Sequence, residues 1–325
     1  MLADQEKKTV ILVTGACGQI GTELVGALRV KYGKGNVIAT DVFDRGKVSV
    51  EGPYYSLDVL NSAGLDWLVH NLGVTEIWHL AAVLSASGEK EPLRSWNLNM
   101  KGLLHVLEAG RKFKLSKIFW PSSIAVFGPG SPRAACPQSG LTDPSTVYGI
   151  SKVAGEYWCK YYRLNYDLDV RSIRYPGLIS YSAKPGGGTT DYAVEIFYQA
   201  FTCRFYACYL RADTMLPMLY MPDAVRGTLE LMATPREMLA AKTAYNLSGL
   251  SFTPRELALE ISRHLPDFKV QYVPDKRQQI ADSWPVSIDD RHARNDWGWE
   301  PAYDLRAMVG DMLKNLDLKE LSGSV

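Results

Sequence analysis

Cysteine is scarce in this sequence: five among 325 residues, an odd number, with no two at CxxC spacing. That pattern excludes a disulfide framework and a zinc site, and no metal is expected; reduced thiols in an intracellular compartment are. Net charge is nearly absent too. Thirty-six Lys and Arg against 35 Asp and Glu leave +1, which gives no reason to expect nucleic acid or a membrane surface as partner. No apolar run is long enough to span a bilayer. The N-terminal MLADQEKKT has no apolar signal core and is too short for an amphipathic transit helix. Internal repeats and low-complexity segments are lacking as well. What remains is a soluble chain long enough for one large and one small domain.

The chain is organised around Val10–Gly21, VILVTGACGQIG. Val10–Val13 are β-formers without polar alternation, as in a strand buried on both faces of a parallel sheet. Gly15, Gly18 and Gly21 follow at three-residue spacing, and Thr22–Lys31 reads as a helix. Strand, glycine turn and helix N-terminus together make an anion site, in which Gly15 permits the turn, Gly18 admits a pyrophosphate and Gly21 lets helix and strand pack closely. The next strand, Val37–Asp41, ends in an acid about 20 residues on. Asp41 can accept both adenosine ribose hydroxyls and repels a 2′-phosphate, which points to NAD over NADP; the bland alternative is a strand-end turn residue. Arg45 nearby keeps NADP as a minor possibility.

Further along, Tyr54–Leu57 reads as a strand ending at Asp58. Asp58 and Val59 are placed for an adenine ring, or Asp58 only caps the helix Ala63–Leu72. Glu76–Leu80 is a fourth strand; with Ala81 and Ala82 after it, there is room for a cofactor across the sheet edge. His79 reads as a core histidine. In the helix Pro92–Phe113, Asn99, and less so Asn97, is expected to bridge to a neighbouring strand or water, because asparagine is a poor helix former. Lys117–Pro121 is a fifth strand and delivers Ser122 and Ser123. After a Pro/Gly/Ser loop comes a helical stretch from Thr146 to Tyr166, with Tyr148 and Lys152 one turn apart on one face.

That pair permits acid–base chemistry. Tyrosine has a reference pKa of about 10, and bringing it near 7 takes roughly 4 kcal/mol of differential stabilisation. An ammonium one turn away favours the phenolate, and the positive ring of an oxidised nicotinamide adds to it. Ser123 can hold a reacting oxygen. A YxxxK alone is a common accident, but here it follows a dinucleotide loop, a ribose acid and a strand-end serine in consistent order.

GACGQIG, HLAA, SSIAVFG and YGISK resemble the extended branch of the short-chain dehydrogenase/reductase superfamily, as does Asp289–Pro301, DDRHARNDWGWEP. The resemblance covers nearly the whole chain. RYPGLIS (Arg174–Ser180) and PGGGTTDYAVEIFYQA (Pro185–Ala200) are similar to the members of that branch that oxidise L-threonine. It implies NAD-dependent oxidation at C3 to 2-amino-3-oxobutanoate, leading on to glycine or aminoacetone in threonine catabolism. Carried over by residue, Tyr148 is the base, Lys152 its partner and Ser123 the hydroxyl-orienting residue, where many relatives have threonine. Gly15, Gly18, Gln19, Ile20, Gly21, Asp41, Asp58, Val59, Leu80, Ala81, Ala82, Asn99 and the Leu178 backbone fall to the cofactor. Ser85, Ser122, Gly188, Thr189 and Thr190 fall to the amino acid. Asp191 either contacts its ammonium or caps the following helix, and Trp284 is an apolar lid or simple packing. Eukaryotic relatives of this kind are mitochondrial, so the expected compartment is the mitochondrial matrix in a eukaryote and the cytoplasm otherwise, with no leader visible.

The expected architecture is α/β, a Rossmann-type doubly wound parallel sheet with a smaller α/β substrate-binding lobe. Residues 1–177, with returns near 215–250, form the NAD-binding domain; 178–325 mainly form the substrate lobe. Thr253–Glu256 reads as a capping box with Pro254 at the first helical position. The helices Pro92–Phe113 and Thr146–Tyr166 carry excess aromatic surface (Trp158, Tyr161, Tyr162), so a homodimer through a four-helix bundle is expected. Two other readings compete. A nucleotide-sugar epimerase or dehydratase shares the scaffold and would use Arg204 and Arg211 for phosphates. A non-catalytic NAD-sensing protein would tend to lose the tyrosine or the lysine, and both are present.

Overall fold

The computed structural model describes residues 8–45, 51–182, 184 and 186–321. Most of MLADQEKKT and Pro185, the first residue of the PGGGTTD segment, lie outside them. The apolar run after Val10 forms β1 (Ile11–Thr14), buried on both faces. It pairs in parallel with β2 (Val37–Asp41), and β2 with β3 (Tyr54–Ser56). On its other side it pairs with β4 (Glu76–His79), which continues to β5 (Lys117–Phe119). The strand expected through Pro121 breaks at Trp120-Pro121, because proline has no N–H for the ladder. It resumes as β6 (Ser122–Ser123) in a different sheet. With β7 (Val170–Arg171) the central sheet has six parallel strands in the order β3-β2-β1-β4-β5-β7. This is the doubly wound order, whose crevice opens between β1 and β4.

Helix α1 (Gln19–Tyr32) leaves the glycine turn, and α2 (Ser62–Asn71) is capped by Asn61, whose Oδ1 accepts the Gly64 N–H at 3.0 Å. A short turn, α3 (Ser85–Gly88), precedes α4 (Pro92–Phe113), which packs on α5 (Val147–Asn165). Two smaller sheets sit at the C-terminal end of the central one. One pairs β6 with β8 (Ile173–Tyr175) and β8 with β12 (Tyr245–Asn246); the other pairs β9 (Gly177–Ile179) with β11 (Leu216–Tyr220) and β11 with β13 (Leu250–Phe252). The returns near 215–250 therefore join these sheets and not the central one. A fourth, two-stranded sheet of β10 (Phe205–Cys208) and β14 (Lys269–Tyr272) lies beside α6 (Tyr192–Thr202). After α7 (Met221–Ala233), α8 (Pro254–His264) begins with the expected capping box between Thr253 and Glu256.

The glycine loop is set by close approach. Gly15 has φ +69°, and a Cβ there would lie 2.6 Å from the Ala81 nitrogen; one at Gly21 would lie 2.3 Å from the Gly15 carbonyl oxygen. All five cysteines are free. Among the described residues no helix is long and apolar enough to cross a membrane, and no cluster of metal-ligating side chains is present.

Candidate active site

Helix α5 presents the reactive side chains from an anchored N-terminus, where Thr146 Oγ1 accepts the Gly149 N–H at 3.0 Å. Tyr148 and Lys152 lie on the face turned to the crevice. Lys152 Nζ sits 5.4 Å from the Tyr148 ring centroid and 4.4 Å from that of Trp120, and donates to the Pro121 carbonyl. The Ser123 hydroxyl lies beside Tyr148 and favours its ionised form. Burial pushes the Tyr148 hydroxyl up to about 12, with the Ser123 hydroxyl opposing, and pulls the Lys152 ammonium down to about 7. In the protein without cofactor, the lysine therefore does not bring Tyr148 below its ordinary value. Both groups are desolvated in one pocket, and desolvation outweighs a cation at this distance.

These groups face a cavity of about 450 Å³. Its floor is the glycine loop, with Gly15, Gly18, Gln19, Ile20 and Gly21. Leu80, Ala82 and Leu178 line its middle; Ser85, Ser122, Ser123, Gly188, Thr189, Thr190 and Trp284 line its far end. Asp191 lines it as well, and so do Leu84, Ser87, Pro121, Tyr175 and Pro176, for which no sequence motif suggests a ligand role. Arg204 and Arg211, the phosphate candidates of the nucleotide-sugar reading, do not line it. Arg211 is instead exposed and paired with Asp282 at 2.7 Å.

Several of the expected ligand residues lie outside this lining or are engaged within the protein. Asp41 stands outside the cavity lining, its Oδ2 accepting Cys17 N–H at 2.9 Å and its Oδ1 accepting Val42 N–H at 2.8 Å. Burial and this carboxylate raise the Cys17 thiol above its ordinary range, so it is a poor nucleophile. Asp58 is exposed and closes a turn onto Leu60 N, while Asn61 takes the capping role. Val59 is buried, and Ala81 serves through its backbone beneath Gly15. Asn99 does bridge, but its amide is spent on both backbone groups of Val83 and on Ser151; it shapes the wall without facing the cavity. Asn97 is exposed. The Ser122 hydroxyl donates to Glu156 at 2.6 Å.

His79 is a core histidine, its Nδ1 2.7 Å from Thr14 Oγ1, and burial lowers it to about 3. Asp191 does not cap α6 with its side chain. Its Oδ2 accepts the N–H groups of Gly187 (2.8 Å) and Gly188 (2.7 Å), so those amides are not free for a carboxylate. Ser85 Oγ and Thr189 Oγ1 lie 3.1 Å apart in the cavity lining. Trp284 is 4% exposed, packs in the core cluster that includes α6, and lines the cavity.

The glycine end fits a dinucleotide pyrophosphate. A Cβ at Gly18 would meet only the Gly15 carbonyl oxygen, at 3.4 Å, so the protein leaves open space there. Gln19 Nε2 is buried, lines the cavity and has no hydrogen-bond partner. The first intrahelical bond of α1 is Thr22 N to Gly18 O, which leaves the preceding N–H groups aimed out of the helix N-terminus.

Residues 11–248 match the model of the NAD dependent epimerase/dehydratase family. The mitochondrial L-threonine 3-dehydrogenase of Bos taurus is 44% identical over 313 residues, spanning 96% of this chain and 83% of that one. The holo form of a GalE-like L-threonine dehydrogenase from Cupriavidus necator superposes with a TM-score of 0.92 at 52% identity, covering 94% of this chain and 99% of that one. A monomeric L-threonine 3-dehydrogenase from a metagenome, in its apo form, superposes equally well at 48% identity, covering 94% and 98%. With more than half its length matched by the family model and its fold shared over almost all of it, the chain belongs to the NAD dependent epimerase/dehydratase family.

Proposed function

We propose that this protein oxidises L-threonine at C3, with NAD as cofactor, to 2-amino-3-oxobutanoate, and so serves threonine catabolism. The observation that carries the reading is the meeting of Ser123, Tyr148 and Lys152 in one cavity that is also lined by the small hydroxyl residues Ser85, Ser122, Thr189 and Thr190 and by no arginine. L-threonine dehydrogenases at 44–52% identity support it. Gly15, Gly18, Gln19, Ile20 and Gly21 receive the cofactor phosphates and Asp41 the adenosine ribose. Bound NAD supplies the acceptor for the C3 hydride. Ser123 orients the substrate hydroxyl, and Tyr148, once ionised, takes its proton as the C3–H bond breaks. Lys152 supplies the positive charge that favours the phenolate. Ser85, Thr189 and Thr190 bind the amino acid, Trp284 walls off water, and Asp191 fixes the loop that carries Gly188. Residues 1–177 with part of 215–250 act as the cofactor lobe, and most of 178–325 as the substrate lobe. The free cysteines fit a reducing intracellular compartment.

The test is NADH formation from NAD and L-threonine, followed by absorbance. Turnover with L-threonine and none with UDP-sugars is expected; the reverse pattern would replace this reading with a nucleotide-sugar epimerase or dehydratase.

We also propose a homodimer through α4 and α5. Trp96, Ile150, Tyr157, Trp158, Tyr161 and Leu164 are exposed there, and clustered exposed apolar side chains mark interaction sites. Tyr162 does not belong to that surface: it is 5% exposed and its hydroxyl bonds Glu108. Light scattering in dilute solution is expected to give twice the 36.2 kDa chain mass. A monomer mass, as in the metagenome relative's description, would remove the dimer.

A further inference from the structure

Glu156 lies one turn beyond Lys152 on α5 and is 4% exposed. Its two oxygens are fully engaged. Oε1 accepts from Ser122 Oγ at 2.6 Å and from Arg174 Nε at 2.8 Å; Oε2 accepts from Arg174 Nη2 at 2.8 Å. Arg174 in turn donates to the Gln138 carbonyl (2.9 Å) and to Asn246 Oδ1 (3.2 Å), and Asn246 is wholly buried on β12. Ser122 is the neighbour of Ser123, and Arg174 the neighbour of Tyr175, which lines the cavity. One carboxylate thus fastens three elements: α5 with Tyr148 and Lys152, β6 with Ser123, and β8 with Tyr175.

The same carboxylate sits among buried cations. Lys152, 2% exposed, has around it His79 from β4, the Pro121 carbonyl and Trp120 ring after β5, Tyr148, Glu156 and Cys159 of α5, and, beyond Glu156, Arg174 of β8. Burial keeps the Cys159 thiol protonated and His79 neutral. Glu156 is the one carboxylate in that set. We propose that Glu156 is a positioning residue for the Tyr148–Lys152 pair, tying the Ser122–Ser123 strand end and β8 to α5 and setting a carboxylate one helical turn from the Lys152 side chain. As a statement about catalysis this rests on the dehydrogenase reading above; as a statement about Lys152 it does not.

The test reads Lys152 in the free protein, through the Trp120 ring that its ammonium overlies. Tryptophan emission is titrated against pH, and the step of interest is the one that Trp120→Phe and Lys152→Met both remove. Removing a negative charge at this range is expected to move that step down by roughly one pH unit in Glu156→Gln, while Glu156→Asp and Ser122→Ala leave it near its wild-type midpoint. Glu156→Gln strands a buried arginine and is prone to unfold, so Glu156→Gln/Arg174→Met is measured beside it; replacing a buried ion pair with neutral groups of similar size is commonly tolerated. The double variant is read against Arg174→Met alone, so that only the carboxylate differs: a lower step than in Arg174→Met supports the proposal, and an equal step in the two folded proteins overturns it. In active enzyme the two limbs of the kcat–pH profile shift down together, because less negative charge favours both phenolate and neutral amine. A kcat loss with unmoved limbs would mark a purely structural role and overturn the electrostatic one. Absence of threonine turnover in the wild type would instead remove the dehydrogenase reading and leave the emission titration to decide.

Discussion

Replacing Tyr148 by Phe lowers kcat for L-threonine oxidation by about 10³-fold or more, the size expected for losing a positioned general base. The ring remains, so packing against the Lys152 ammonium remains; only the hydroxyl beside Ser123 is lost. NADH binding, measured by fluorescence titration, is expected to change little, because the glycine loop is untouched. The reason for so large an effect is the placement of the pair. Burial holds the Tyr148 hydroxyl at about 12 before any ligand enters. Reaching 7 from there takes about 5 units, or roughly 7 kcal/mol, more than the roughly 4 kcal/mol that a solvated tyrosine would need. The positive charge of Lys152 has to act in full, yet burial lowers Lys152 to about 7. The remaining stabilisation of the phenolate has to come from the positive charge of the bound oxidised cofactor. A kcat for Tyr148→Phe within tenfold of wild type would show that another group takes the proton.

The sequence makes much of this frame readable, for physical reasons. The run after Val10 has to be a doubly buried strand because it has no polar face, and Gly15 has to be glycine because its φ is +69° and Ala81 lies beneath it. The Tyr148–Lys152 pair follows from helical spacing alone. The rest depends on partners far apart in sequence. Asp191 turns back to the Gly187 and Gly188 amides because Gly187 sits at φ +95°, a bend that no local pattern announces. Ser122, Glu156 and Arg174 are separated by 34 and 18 residues, and their meeting depends on β6 and β8 leaving the central sheet as a pair. Strands of two or three residues, such as β6, β8 and β12, are too short to show a period. The partly buried tyrosine and the buried lysine illustrate the same limit in energetic form: spacing brings the groups together, while the sign of each shift depends on how much water the finished pocket excludes.

Asp169→Ala is expected to destabilise the protein by about 3–5 kcal/mol, the range for breaking one side of a buried ion pair. Asp169 and Arg171 are 7% and 3% exposed and meet at 2.7 Å, with Arg171 Nε also donating to Asp169 Oδ1 at 3.1 Å. Arg171 does a second job from the same place: its Nη1 donates to the carbonyls of Leu231 and Thr234, both at 2.6 Å, where α7 ends. A cation at a helix C-terminus satisfies orphan carbonyls and meets the negative end of the dipole. Asp169 thus supports β7 at the edge of the central sheet and, through Arg171, the end of the helix that follows β11. Without the carboxylate a buried guanidinium keeps only neutral acceptors and the more distant Glu76, whose own carboxyl is raised by burial. The measurement is the urea midpoint of Asp169→Ala against wild type, at equal slope. Asp169→Ala/Arg171→Met is expected to recover part of the loss, since it removes the stranded charge, but to leave the α7 carbonyls without their donor. A single-variant loss below about 1 kcal/mol would mean that the carbonyls alone hold the guanidinium, and that the carboxylate contributes no more than a surface pair does.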